Sequence, residues 1–129
     1  MSTKTRSSRT KGSAKVSKLK DVVVEAIADK KGESITSLDL RTIADAVTDF
    51  FVICHATSKV QVKAIAEHVE LKVKETARET PYHIEGIGNY EWVLIDYVDV
   101  VVHIFLKERR EFYQLEELWH DARRTDYDL

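Results

Sequence analysis

The chain predicts an α/β fold of the α+β kind, a mixed β-sheet of about five strands with helices packed on it. Three observations predict it. Two stretches repeat apolar residues at helical spacing, and several short runs are rich in β-branched and aromatic residues. The 129 residues are 43% hydrophobic and 33% charged, the balance of one soluble domain able to bury a core.

The first helix is expected from Ser17, because Leu19, Val22, Val23, Ala26 and Ile27 fall on one helical stripe. It should end at Lys30-Lys31-Gly32, with cations facing the negative end of the helix dipole and Gly32 taking the left-handed cap. A first strand follows at Ile35 to Leu40, alternating Thr36, Leu38 and Leu40 on one side. Residues 41–48 read as a loop. Asp49 to Cys54 is apolar on both faces and reads as a central strand. Val62, Ile65, Ala66, Val69 and Val73 mark a second helix, and Ser58 with Gln61 three places on matches a capping box. Pro81 limits that helix to about residue 79.

A short strand fits between Pro81 and Tyr90, where Gly86 and Gly88 mark turns. Two longer strands then run from Trp92 to Phe105, split by Asp96-Tyr97-Val98-Asp99 as a hairpin turn. From Lys107 a helical segment is expected to cover a sheet face with Phe112, Leu115, Leu118 and Trp119, and residues 121–129 are expected to fray. The domain would thus span residues 17–120, after a disordered basic tail of residues 1–16.

That tail concentrates charge. It holds five of the twenty Lys and Arg residues (Lys4, Arg6, Arg9, Lys11, Lys15) and no acid, leaving fifteen against twenty-two Asp and Glu in the body. An acidic body argues against a free-standing nucleic-acid binder, whereas such a tail suits phosphate contact or simple solvation. No apolar run is long enough for a spanning helix or a signal sequence, so a cytoplasmic protein is expected. Cys54 is the only cysteine and lies in an apolar run, where it should pack as a small hydrophobe rather than act as a nucleophile.

Enzyme motifs are missing. The five histidines are scattered, there is no CxxC, and there is no GxGxxG, GxxxxGK[ST] or GxSxG. A two-metal nucleotidyl-transfer site needs two acids on one strand side, and no Asp-x-Asp exists. Asp96 and Asp99 suit a turn through local backbone hydrogen bonds. With Trp92, Leu94 and Tyr97 beside them they also suit an acidic and aromatic binding patch, since interfaces favour Trp and Tyr. Trp92 as plain core is the competing reading. His103 reads as a buried histidine that joins this patch only if its strand face is partly open. The Arg109-Arg110-Glu111 and Glu116-Glu117 runs read as a solvated helix face.

These residues carry a resemblance. Leu38-Asp39-Leu40, Thr48-Asp49-Phe50-Phe51-Val52-Ile53, Thr57-Ser58 with Gln61-Val62, and Ala64-Ile65-Ala66 resemble the Iojap family, the ribosomal silencing factors. The most specific part is Trp92-Val93-Leu94-Ile95-Asp96-Tyr97, then Asp99-Val100-Val101-Val102-His103-Ile104-Phe105, Arg110-Glu111-Phe112-Tyr113, and Leu115-Glu116 with Leu118-Trp119. The resemblance implies a nucleotidyltransferase-like fold without catalytic acids and no cofactor. It implies binding to ribosomal protein uL-fourteen of the large ribosomal subunit and a steric block to joining of the small subunit, repressing translation under nutrient limitation. By position, the implied binding surface is Trp92, Leu94, Asp96, Tyr97 and Asp99, with Lys107 and Arg110 at its border.

Two departures stand out. Where the family commonly has Gly this chain has Val98, which resists positive φ, so a wider turn is expected; Ala56 likewise replaces a frequent Gly. The alternatives left by the sequence are an atypical nucleotidyltransferase acting on a small nucleotide and a homodimeric structural module. Contact of the tail with rRNA lies outside the resemblance.

Overall fold

Phe50–Ala56 (β2), apolar on both faces, is the strand on which the sheet is assembled: Glu33–Asp39 (β1) pairs with it antiparallel and Val100–Leu106 (β5) pairs with it parallel. The structure is a computed structural model and describes residues 13–128, without the side chains of residues 13 and 112. Trp92–Asp96 (β4) and His83–Glu85 (β3) extend the sheet antiparallel beyond β5, and Arg123–Tyr127 (β6) closes the other edge against β1. The order is β3-β4-β5-β2-β1-β6. The expected strands are present, and a sixth joins them.

Side-chain alternation gives the sheet two faces. Ser13–Asp29 (α1) and Lys59–Ala77 (α2) cover the first. There Val23, Ala26, Ile27, Val52, Cys54, Ala56, Val62, Ile65, Val69, Val73, Val93, Ile95, Val102 and Ile104 form one buried layer. All five stripe residues of α2 are buried, as their spacing predicts. Ser58 caps α2, its hydroxyl accepting from the Gln61 N–H at 3.2 Å. The Gln61 amide does not complete the box; it donates to the carbonyls of Lys30 and Lys31 and ties α2 to the end of α1.

Helix α1 starts four residues earlier than expected, and Val16 is buried on it at 6% exposure. Lys15 therefore lies in a helix, while Lys4, Arg6, Arg9 and Lys11 fall outside the described residues. At its C-terminus the left-handed residue is Lys31 (φ 64), not Gly32. Gly32 is required for space instead, because a Cβ there would stand 2.3 Å from Ile27 Cγ2. The N–H groups of Gly32 and Lys31 bond the carbonyls of Ile27 and Ala28, the Schellman pattern displaced by one residue from the glycine.

The second face is covered by two short helices, Lys107–Tyr113 (α3) and Leu115–Leu118 (α4), and by the loop of residues 41–48. Leu38, Leu40, Ala46, Ile53, Phe105 and Ala122 form its core, with Ile43, Phe51, Trp92, Leu115 and Trp119 packed against them. Leu118 is exposed, so of the expected covering residues Leu115 and Trp119 serve and Leu118 does not; the Phe112 side chain is outside the described ones. Residues 123–127 do not fray but form β6. In β6, Asp126 accepts from Thr36 at 2.8 Å and the Tyr127 hydroxyl meets Ser37 at 2.9 Å, so β1 supplies partners that the polar sequence of β6 does not advertise.

Candidate functional site

Strand β4 aims Trp92, Leu94 and Asp96 at the second face, with Val93 and Ile95 buried on the first. Trp92 is half-buried and held on three sides. Its ring stacks on Phe105 at 4.9 Å between centroids, lies 4.5 Å from Tyr113, and its Nε1 donates to His103 Nδ1 at 3.1 Å. Trp92 is thus both a wall of the core and an edge of the surface, a case that the choice between patch and core did not contain.

His103 explains the orientation. It is buried at 4% exposure, and burial pushes it down to about 4, so the ring is neutral and its unprotonated Nδ1 accepts from the indole. Phe51 packs edge-on against it at 4.8 Å. His103 does not join an open patch; it positions Trp92 from beneath.

Leu94 and Asp96 remain partly exposed, while α3 packs on β5 and β2. The register places Glu85 opposite Leu94 and His83 opposite Asp96, and the His83 and Glu85 side chains pair at 2.7 Å. The sequence gives no hint of these two neighbours, because the pairing of β3 with β4 is fixed by tertiary register. Tyr113 and Phe51 were also missed as supports of Trp92 and His103.

The turn is tight. Tyr97 N–H bonds the Val100 carbonyl, Asp99 N–H bonds the Tyr97 carbonyl, and Val98 between them has φ 77, the pattern of a positive-φ γ-turn. The wider turn expected for Val98 is therefore absent. Asp96 Oδ1 accepts from Val98 N–H at 2.7 Å and Thr48 Oγ1 donates to the Val98 carbonyl at 2.9 Å, and these bonds hold the conformation that the residue type resists. Asp99 lends its carbonyl to the N–H groups of Asp49 and Phe50, anchoring the turn to β2. Ala56 is fully buried at the end of β2, its methyl part of the first core.

Two residues do not belong on the surface. Tyr97, at 4% exposure, continues the alternation of Val93 and Ile95 and is buried on the helix-covered face. Its hydroxyl has no partner there, and burial raises its pKa. Arg110, at 8% exposure, is a structural tie rather than a border cation. Its Nε and Nη2 donate to Glu116, Nη1 to the Ser34 carbonyl and to His55 Nδ1, and Nη2 also to Thr36. All five guanidinium N–H groups are engaged, so none is left for a ligand in the adjoining cleft of about 330 Å³. Burial, then the Arg110 charge, hold His55 below the ordinary imidazole range, and the Arg110 bonds hold Glu116 below the carboxylate range against its burial. The expected solvated face thus hides a buried ion pair. Lys107 is exposed at the opposite end of β5 from the turn, roughly 20 Å away along seven strand residues.

Among the described residues no three His, Cys, Asp or Glu side chains are grouped to hold a metal ion, and no helix is long and apolar enough to cross a membrane. Burial pushes the Cys54 thiol up to about 12, which keeps it protonated and unreactive.

Comparison with known proteins places the chain in a family. The family model described as "Ribosomal silencing factor during starvation" matches residues 13–129. A ribosomal silencing factor from Halalkalibacterium halodurans is 44% identical over 107 residues, covering 81% of this chain and 87% of that protein. A mouse protein named for mitochondrial assembly of the ribosomal large subunit is 38% identical over 74 residues, 56% of this chain and 32% of its own length. The crystal structure of a Chromobacterium violaceum protein superposes with a TM-score of 0.76 at 34% identity, covering 81% of this chain and 86% of that one. By its sequence from Ser13 onward and by its fold, the chain belongs to the ribosomal silencing factor family.

Proposed function

We propose that the protein silences translation by docking on the large ribosomal subunit through the partly open end of the second sheet face and excluding the small subunit by its bulk. The observation that carries this reading is the state of Trp92, Leu94 and Asp96. Trp92 is immobilised by Phe105, Tyr113 and His103, and beside it Leu94 and Asp96 stay partly exposed on a paired strand. A large aromatic edge fixed in advance loses little side-chain entropy on binding, which is what an interface anchor requires.

The partner is ribosomal protein uL-fourteen. Asp96 and Asp99 border the apolar centre with negative charge, complementary to a basic protein on RNA, and such complementarity raises the on-rate and sets the register of docking. Lys107 lies at the far border. No chemistry is needed at this surface, since exclusion is steric, and the site of action is the cytoplasm.

The test is a subunit-joining assay. Added protein should lower the fraction of joined ribosomes in a sucrose gradient and co-sediment with large subunits, and Leu94→Arg, which leaves the Asp96–Val98 bond of the turn in place, should lose both activities while keeping its far-UV circular dichroism. Unchanged joining, or magnesium-dependent binding of a nucleotide in a thermal-shift experiment, would favour a nucleotidyltransferase-like protein instead.

A further inference from the structure

Val98 is the one β-branched residue at positive φ among the described residues, and it lies next to that surface. Its φ of 77 is a conformation in which a β-branched residue is an outlier, because Cβ and its two methyls crowd the backbone. Packing does not offset the strain. Val98 is 45% exposed and belongs to neither core. Its backbone conformation is fixed by the Asp96 carboxylate and the Thr48 hydroxyl, bonds that any residue at this place would receive.

Two other exposed apolar side chains stand next to it. Val47 is 83% exposed and precedes the Thr48 that bonds Val98; Tyr82 is 79% exposed, and its N–H bonds the carbonyl of Asp96 at 2.7 Å. All three lie at the turn end of the sheet, joined by these bonds to the turn or to Asp96, which β4 places on the second face with Leu94 and Trp92. Asp45 is exposed in the same loop as Val47, while the loop's cation, Arg41, is paired with Asp39 at 2.7 Å. The rim therefore pairs apolar side chains with carboxylates, the complement of a protein surface that carries aliphatic groups among Lys and Arg.

We propose that Val98 is an affinity-determining contact of the docking surface, which extends over the turn to Val47 and Tyr82 and takes the aliphatic and basic face of the same ribosomal protein. This rests on the reading above that the second face docks on the large subunit. The side chain is retained for binding at the expense of the fold, so stability and affinity respond to its removal in opposite directions.

The experiment measures, for the full chain, the thermal midpoint and the Kd for purified large subunits in Val98→Gly, Val98→Asn and Leu94→Arg. Gly and Asn both accept positive φ, and neither presents the apolar surface. Both Val98 variants should melt at or above the wild-type midpoint and bind roughly ten-fold more weakly, the scale expected for losing one buried valine side chain. Wild-type Kd in both, or a lowered midpoint, would overturn the proposal, since the side chain would then serve nothing or serve the fold. If Leu94→Arg loses binding while the Val98 variants keep it, this contact alone is refuted; if Leu94→Arg also binds normally, the docking reading falls with it.

Discussion

Along β5 alternate residues meet two different layers. Val100, Val102 and Ile104 lie in a layer sealed by α1 and α2 that is apolar but for the Tyr97 hydroxyl and the Ser37–Tyr127 pair, whereas Val101, His103 and Phe105 face a layer mixed with polar ties. The first layer is closed by long helices whose stripes match it. The second is closed by short helices that the Arg110 network ties to the sheet, and these stop short of Leu94 and Asp96. The difference teaches that one sheet can be sealed on one side and left partly open on the other, because alternation keeps the two sets of residues independent.

Breaking the second layer at its tie should have the largest effect. Arg110→Ala leaves Glu116 and His55 without their partner in a confined site, and should cost about 3–5 kcal/mol in urea unfolding. A loss under about 1 kcal/mol would mean that solvent replaces the guanidinium and that packing alone holds α3. On the first layer, Ile104→Ala should cost about 2–5 kcal/mol through the cavity it opens, yet leave the affinity of the folded protein for large subunits unchanged.

The pH dependence separates the layers next. His103 is neutral in the fold, with its pKa depressed from 6.5 to about 4, so the unfolded chain binds the proton that the folded chain refuses. The associated stability is fully present above pH 6.5 and is lost as pH falls toward 4, a change on the order of 2–3 kcal/mol. His55 shifts in the same direction. Unfolding free energies across this window should flatten in His103→Gln, which keeps an acceptor for Trp92 without titrating. The smallest stability change belongs to Leu94→Ala, at about 1 kcal/mol or less, because the side chain is only half-buried. Its effect should appear in subunit affinity instead.

The first layer was legible because helical spacing states it outright: the α2 stripe and its Ser58 cap stand in the sequence as they stand in the fold. The second was legible only in its strands. β6 reads as a polar tail since its residues become a strand through pairing with β1, and nothing local in Arg123–Tyr127 carries that instruction. Arg110 reads as a solvated cation because its partners lie at Ser34, Thr36, His55 and Glu116, three of them far away along the chain. Tyr97 is a different failure. Strict alternation from Trp92 already puts it on the opposite face from Leu94 and Asp96, and nearness in sequence obscured that parity. The turn defied expectation because the Asp96 and Thr48 side chains hold a conformation that propensity opposes.

The central claim is that the uncovered part of the second face is the docking surface, and Leu94 tests it most directly. An aliphatic side chain makes no hydrogen bond, and Leu94 lies within β4 rather than in a turn, so Leu94→Arg should unfold at nearly the wild-type urea midpoint and fail to bind purified large subunits at concentrations where the wild type saturates. Wild-type Kd in a Leu94→Arg protein of unchanged midpoint would contradict the account and place the ribosome contact elsewhere on the molecule.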